Sequence, residues 1–226
     1  MKISVVVPAY NEGKYISDCL TSLMNQTEPA DEIIVVDNNC TDNTVEVASR
    51  FPVKIIRETT QGMIPARNAG LNAAQYEIIA RGDADTRYPS DWLKKIKMQF
   101  ADANVVGVTG PGAFTGLPDW AVELYFQLTK LVLGHAILFG ANMSVRKSAW
   151  EKISNSVCMN DTEVHEDIDL SIHLHPFGKI IYDKTLQVRA SSRRLKNNPT
   201  SFFLEYPKRW VQTVFFQKHV PVILKD

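Results

Sequence analysis

Asp83-Ala84-Asp85 sets two carboxylates one residue apart, directly after the apolar run Ile78-Ile79-Ala80. A strand tip that presents aligned carboxylates suits a hard divalent cation. Such ions take oxygen ligands, and Mg2+ in particular shares its shell with substrate phosphates. The pair therefore points to a diphosphate substrate that arrives with Mg2+ or Mn2+. Acidic turns after strands are also common as plain solvated surface, so the weight of the pair depends on its company. A second acidic group, Glu166-Asp167-Ile168-Asp169, opens a helical stretch far along the chain. The helix dipole alone favours carboxylates in a first turn. One that faces a reacting hydroxyl is also a general base. His165, His173 and His175 lack the His-Glu-x-x-His spacing of a zinc site, and no cysteine pair assists them.

Holding such groups takes strand tips and helix ends, and the first half of the chain alternates the two. Ile3–Val7, Ile33–Val36, Val53–Ile56 and Ile78–Ala80 read as strands. Between them, Glu12–Gln26 has apolar residues at helical spacing. Thr41/Asp42 caps a helix to about Arg50, and Pro65 opens one through Ala74. Ser90 caps a further helix with Leu93, Ile96 and Phe100 inward. This β-α-β-α order predicts a largely parallel, Rossmann-like sheet covered by helices on both faces. Ligands of such sheets bind at the carboxyl ends of the strands. There the sequence places Pro8-Ala9-Tyr10-Asn11-Glu12, Asp37-Asn38-Asn39 and Arg81-Gly82-Asp83-Ala84-Asp85, so all three face one crevice.

The second half is less regular. It reads as a strand at Val105–Thr109, an amphipathic helix at Asp119–Leu133 and a helix around Ser148–Ile153. A helix at Glu166–His175 stops at Pro176 and Gly178, and Lys179–Tyr182 is a strand. Leu131–Ala141 falls short of the ~20 apolar residues a spanning helix needs and reads as buried.

The chain has 226 residues and zero net charge, so no bulk field draws it to nucleic acid. Charge is unevenly placed. Lys184 onward carries 9 Lys/Arg against 2 Asp/Glu, which suits an anionic partner. The expected division is a catalytic domain over 1–183 and a basic, aromatic, helical tail over 184–226. That tail either packs on the domain or lies on an anionic membrane surface. Three cysteines, Cys19, Cys40 and Cys158, are odd in number and widely spaced. They argue for a reducing, cytoplasmic compartment, at the inner face of the membrane if the tail binds there.

Five ordered motifs resemble the family 2 glycosyltransferases of the GT-A fold. They are Val6-Val7-Pro8-Ala9-Tyr10-Asn11-Glu12, Val35 to Thr44, Ala66-Arg67-Asn68-Ala69-Gly70, Asp83-Ala84-Asp85 and His165 to Leu170. The resemblance runs from Ile3 to about Tyr182. It implies an inverting enzyme that uses a nucleotide sugar, most often a uridine diphosphate sugar. It sets Pro8, Ala9, Tyr10 and Glu12 around the base and ribose, with Asp37 beside them and Arg67 near the donor. Asp83 meets ribose or metal, Asp85 is the principal metal ligand, and Asp167 is the catalytic base. Tyr10 is equally placed to be core or to stack on the base. The acceptors it implies are glycans or lipid-linked glycans, which suits a role in the cell envelope.

Two departures stand out. Asn38-Asn39 replaces the second acid and glycine of many relatives, and Tyr206 stands where processive relatives carry Gln ahead of Arg209-Trp210. The second favours transfer of a single sugar. A dehalogenase-type phosphatase is disfavoured because Thr86 comes one residue too early and the motif sits on the fourth strand. A nucleotidyltransferase needs a Gly-rich loop after the first strand, which Pro8–Glu12 is not. A non-catalytic sugar-binding module is the alternative. It has no use for a base, and Asp167 weighs against it.

Overall fold

The computed structural model describes residues 1–114, 118–159, 164–191, 193 and 204–215. The first four strands are β1 (Ile3–Ala9), β2 (Glu32–Asp37), β3 (Lys54–Arg57) and β4 (Ile78–Arg81). They are separated by α1 (Ile16–Met24), α2 (Thr44–Ala48) and α3 (Met63–Ala73). Then come α4 (Trp92–Gln99), β5 (Val105–Thr109), β6 (Gly112–Phe114), α5 (Asp119–Leu133), β7 (Met143–Arg146) and α6 (Lys147–Ile153). The last elements are α7 (Glu166–Leu174), a 3-10 turn at His175–Phe177, β8 (Lys179–Tyr182), β9 (Val188–Ala190) and α8 (Tyr206–Phe215).

Seven strands form one sheet in the order β3-β2-β1-β4-β7-β5-β8, and β7 alone runs antiparallel to its neighbours. β6 and β9 form a separate parallel pair. The near-unbroken apolar run of β1 follows from burial on both faces. Val5 and Val7 pack with Leu20 of α1 and Trp92 of α4, while Val6 turns to Leu71, Trp150 and Leu170 on the other face. That alternation is the two-residue period of a strand. Each such side chain contributes about 1.5–3 kcal/mol on burial. A third cluster, around Phe126, Ile137, Ile168 and Ile172, joins α5 to α7 and receives Trp210 and Val214 of α8.

The parallel, helix-covered sheet is the one expected, with four differences. β6, β7 and β9 are additional strands, each too short to signal itself. α1 begins at Ile16 rather than Glu12, and the amides of Glu12 and Gly13 ahead of it are held by Thr44 Oγ1 and Asp42 Oδ2. The α4 helix is preceded by Asp91 at its cap position instead of Ser90. Leu131 and Val132, expected to be buried, are 80% and 49% exposed. The chain turns inward only after Gly134, whose φ of 79° closes α5. No helix among the described residues is long and apolar enough to cross a membrane.

Register sets the site. Ala9 pairs with Asp37, and Val6 pairs with Arg81, so the tips of β2, β1 and β4 lie side by side.

Candidate active site

The β1 and β2 tips are locked together by backbone capture. Asn11, at φ 55°, accepts hydrogen bonds from the Thr41 and Asp42 amides at 2.8 and 3.3 Å. Asp37 Oδ1 accepts from the Cys40 amide at 2.8 Å, while Ala9 is buried and Pro8 half-buried. Tyr10 is 52% exposed, so it is not core. Asn38 is buried. Its Nδ2 donates to the carbonyls of Glu58 and Thr60, and its Oδ1 accepts from the Gly62 amide. The departure at Asn38 therefore has a structural use: it pins the loop ahead of α3.

The β4 tip explains the spacing of its acids. Ala84 is buried in the core, which turns Asp83 and Asp85 outward on either side of it. A Cβ at Gly82 would fall 1.6 Å from Tyr88 Oη, so only glycine lets the chain turn there. Asp85 Oδ2 accepts from Arg193 Nη2 at 3.0 Å, and the same nitrogen donates to Glu12 Oε1 at 2.5 Å. Burial pushes the Asp85 carboxyl above its ordinary value, Asp83 adds to the rise, and Arg193 opposes it. Glu12 is raised as well, again chiefly by burial. Its Oε2 is buried without a hydrogen bond among the described residues.

These features fit a divalent cation at Asp85 and Asp83. The acids are crowded, Glu12 keeps an unused oxygen beside them, and one guanidinium already bridges Glu12 and Asp85. Among the described residues no three His, Cys, Asp or Glu side chains converge to hold a metal. The remaining ligands would have to come from substrate and water, as is usual for Mg2+.

Asp167 stands in the first turn of α7. Its Oδ2 accepts from the Gly140 amide at 2.8 Å. Its Oδ1 lies 3.5 Å from Arg67 Nη2 and 3.7 Å from Arg81 Nη1. Burial works to raise this carboxyl, but the guanidiniums of Arg67 and Arg81 outweigh it and hold Asp167 below the usual range. Oδ1 itself makes no hydrogen bond among the described residues. Glu166 pairs with both arginines. Asp169 faces elsewhere, accepting from the Cys158 amide at 3.0 Å.

Arg81 joins the two acidic groups. It is fully buried, and its Nη2 lies 3.7 Å from Asp83 Oδ1 while its Nη1 serves Glu166 and Asp167. Arg67, expected near the donor, pairs its guanidinium with Glu166 and Asp167. It is 5% exposed, and the pairing compensates charge in a space closed to water. Sequence reasoning placed Arg81 at the crevice without a role and gave none to Gly140 or Arg193. Arg81 carried one available signal, a charged residue at the end of a strand whose other positions are all apolar. A separate concavity of about 500 Å3 is lined by Met1, Glu77 and Lys147 among others, at the amino ends of β1 and β4, away from these acids.

The sequence model described as Glycosyl transferase family 2 matches residues 4–151. Glycosyltransferase AglE of Haloferax volcanii is 32% identical over 145 residues, covering 60% of this chain and 47% of that relative. A mannosyltransferase from Pyrobaculum calidifontis, solved with GDP-Man and Mn2+, superposes with a TM-score of 0.75 at 22% identity, covering 97% of this chain and 66% of that one. S. aureus TarS residues 1–349, solved with UDP-GlcNAc, gives 0.70 at 21% identity, covering 84% and 58%. The chain spans less than half the length of the first curated relatives that it matches.

Proposed function

The chain belongs to glycosyl transferase family 2, and from that premise we propose that it moves one sugar from a nucleoside diphosphate sugar to an acceptor hydroxyl, with inversion. The observation that carries this reading is Arg81, one buried guanidinium that reaches Asp83 on the leaving-group side and Asp167 on the base side.

Pro8, Ala9, Tyr10, Glu12 and Asp37 line the nucleoside end of the crevice, with the exposed Tyr10 ring available to the base. Asp85 and Asp83 would hold Mg2+ or Mn2+, and the ion would supply positive charge to the departing diphosphate. Asp167 is the base that accepts the hydroxyl proton, its Oδ1 making no hydrogen bond among the described residues and its Oδ2 holding the Gly140 amide. Arg67 and Arg81 keep that carboxyl ionised, so it is competent as a base at neutral pH. Gly140 holds Oδ2 through its amide, and a Cβ there would sit within 3 Å of the carboxylate. A single base opposite the leaving group gives inversion.

The donor is a UDP sugar in this reading. Among structural neighbours, one is described with UDP-GlcNAc and another with GDP-Man and Mn2+, so a test must include both nucleotides. The acceptor is a glycan or lipid-linked glycan of the cell envelope, met at the cytoplasmic face of an anionic membrane. Exposed Lys208, Val211 and Phe215 of α8 support such contact, whereas Trp210 packs inward and donates to Thr129 Oγ1. The tail residues Arg194, Lys196, Phe202, Phe203, Phe216 and Lys218 lie outside the described residues. Metal-dependent release of UDP or GDP from a panel of nucleotide sugars tests the reading. Binding without release, in the presence of acceptor extract, would instead favour a sugar-binding module.

A further inference from the structure

Arg193 lies outside both acidic motifs and outside the stretch matched by the family. Its guanidinium nevertheless reaches Glu12 at 2.5 Å and Asp85 at 3.0 Å, acids from the tips of two different strands. It also stands over the Tyr15 ring, 4.5 Å from the centroid, a supporting cation–π contact. We propose that Arg193 is a built-in counter-cation of the donor site, competing with the divalent metal for Asp85 and Glu12. The proposal rests on the reading of Asp85 as a metal ligand.

The charges favour this arrangement. Glu12 and Asp85 share one guanidinium nitrogen as their compensating charge. A lone metal must either displace the guanidinium or sit beside it and be repelled. Arginine does not lose its proton in a protein, so deprotonation cannot clear the site. A nucleoside diphosphate changes the balance, because its phosphate oxygens offer the displaced guanidinium a charge-assisted partner. Metal and diphosphate therefore assist each other's binding through Arg193. Without diphosphate, the guanidinium keeps the half-buried carboxylates of Glu12 and Asp85 from standing uncompensated.

The experiment is calorimetric titration of the whole chain with Mn2+ alone, then with Mn2+ in the presence of UDP and, separately, GDP. Arg193→Gln should bind Mn2+ alone at least about fivefold more tightly than wild type. The enhancement of Mn2+ affinity by nucleotide should shrink in the variant. Tyr15→Leu, which removes the ring under the guanidinium, should move Mn2+ affinity the same way by a smaller factor, and it is a second route should Arg193→Gln unfold. Unchanged or weaker Mn2+ binding in these variants overturns the proposal while leaving the transferase reading intact. Tight Mn2+ binding that survives Asp85→Asn overturns the metal assignment and this proposal with it.

Discussion

Asp83 and Asp167 stand on one buried guanidinium, with Arg81 placing a nitrogen 3.7 Å from a carboxylate oxygen of each. One acid follows β4 and the other opens α7, and neither contacts the other in sequence. The arrangement ties the leaving-group side of the crevice to its base side through a side chain that water does not reach.

Asp167→Asn should therefore lower kcat by ~10²–10⁴-fold while leaving nucleotide affinity near wild type. Asp169→Ala is the control. Its carboxylate serves the Cys158 amide, so its loss should cost about 1–3 kcal/mol of stability with kcat largely kept. Comparable kcat losses in the two variants would remove Asp167 from the role of base.

Arg67→Met should move the acidic limb of the kcat/KM profile to higher pH. Burial pushes the Asp167 carboxyl up, and Arg67 is the stronger of the two guanidiniums that push it down. With Arg67 in place the base stays ionised below the ordinary carboxylate range, and activity is insensitive to its protonation near neutrality. Without it the upward push gains, and a larger fraction of the carboxyl is protonated at a given acid pH. The profile is normalised to each enzyme's own maximum, so that lost stability is not mistaken for a shifted limb. Superimposable profiles would sink the argument.

Asp85→Ala should abolish metal-linked nucleotide binding while retaining the native melting transition, because its carboxylate faces the crevice and not the core. The measurement is thermal shift with UDP, with and without Mn2+. A wild-type shift on adding Mn2+ to the variant would place the metal elsewhere.

The apolar tips of β1, β2 and β4 announced themselves because each run is short, continuous and ends in Asn, Asp or Gly, so the crevice was legible from sequence. Ala84 shows why the acidic pair has its spacing: the middle residue is core, and sequence alone gives only its small size. β7 was not legible, since Met143-Ser144-Val145-Arg146 alternates apolar and polar over only four residues and is held by pairing with β4 and β5. Arg81 reads locally as the start of a polar turn. Its burial is decided by Glu166 and Asp167, whose proximity depends on the whole sheet being formed. Arg193 is hidden for the same reason, because only the fold brings it to Glu12 and Asp85.

Stability should fall as pH drops through the histidine range, and His135 should account for part of the fall. Its ring is 8% exposed, with Nδ1 2.9 Å from the Ala136 carbonyl, and stacks on His175 at 4.3 Å. Burial lowers its pKa below the ordinary 6.5, and the charge of His175 lowers it further against the opposing Ala136 carbonyl. The buried His165 is lowered by burial in the same way. In the denatured chain each imidazole takes up its proton near the ordinary value, whereas the folded protein delays it. Between the ordinary and the depressed pKa the unfolded state therefore binds more protons, and stability declines as pH falls. The slope from one such group cannot exceed about 1.4 kcal/mol per pH unit. His135→Phe keeps an aromatic ring at that position and removes the titration. Urea midpoints measured at about pH 7.5, 6.5 and 5.5 should decline less steeply in the variant than in wild type. Equal slopes would show that the His135 ring takes up its proton as readily in the fold as in water.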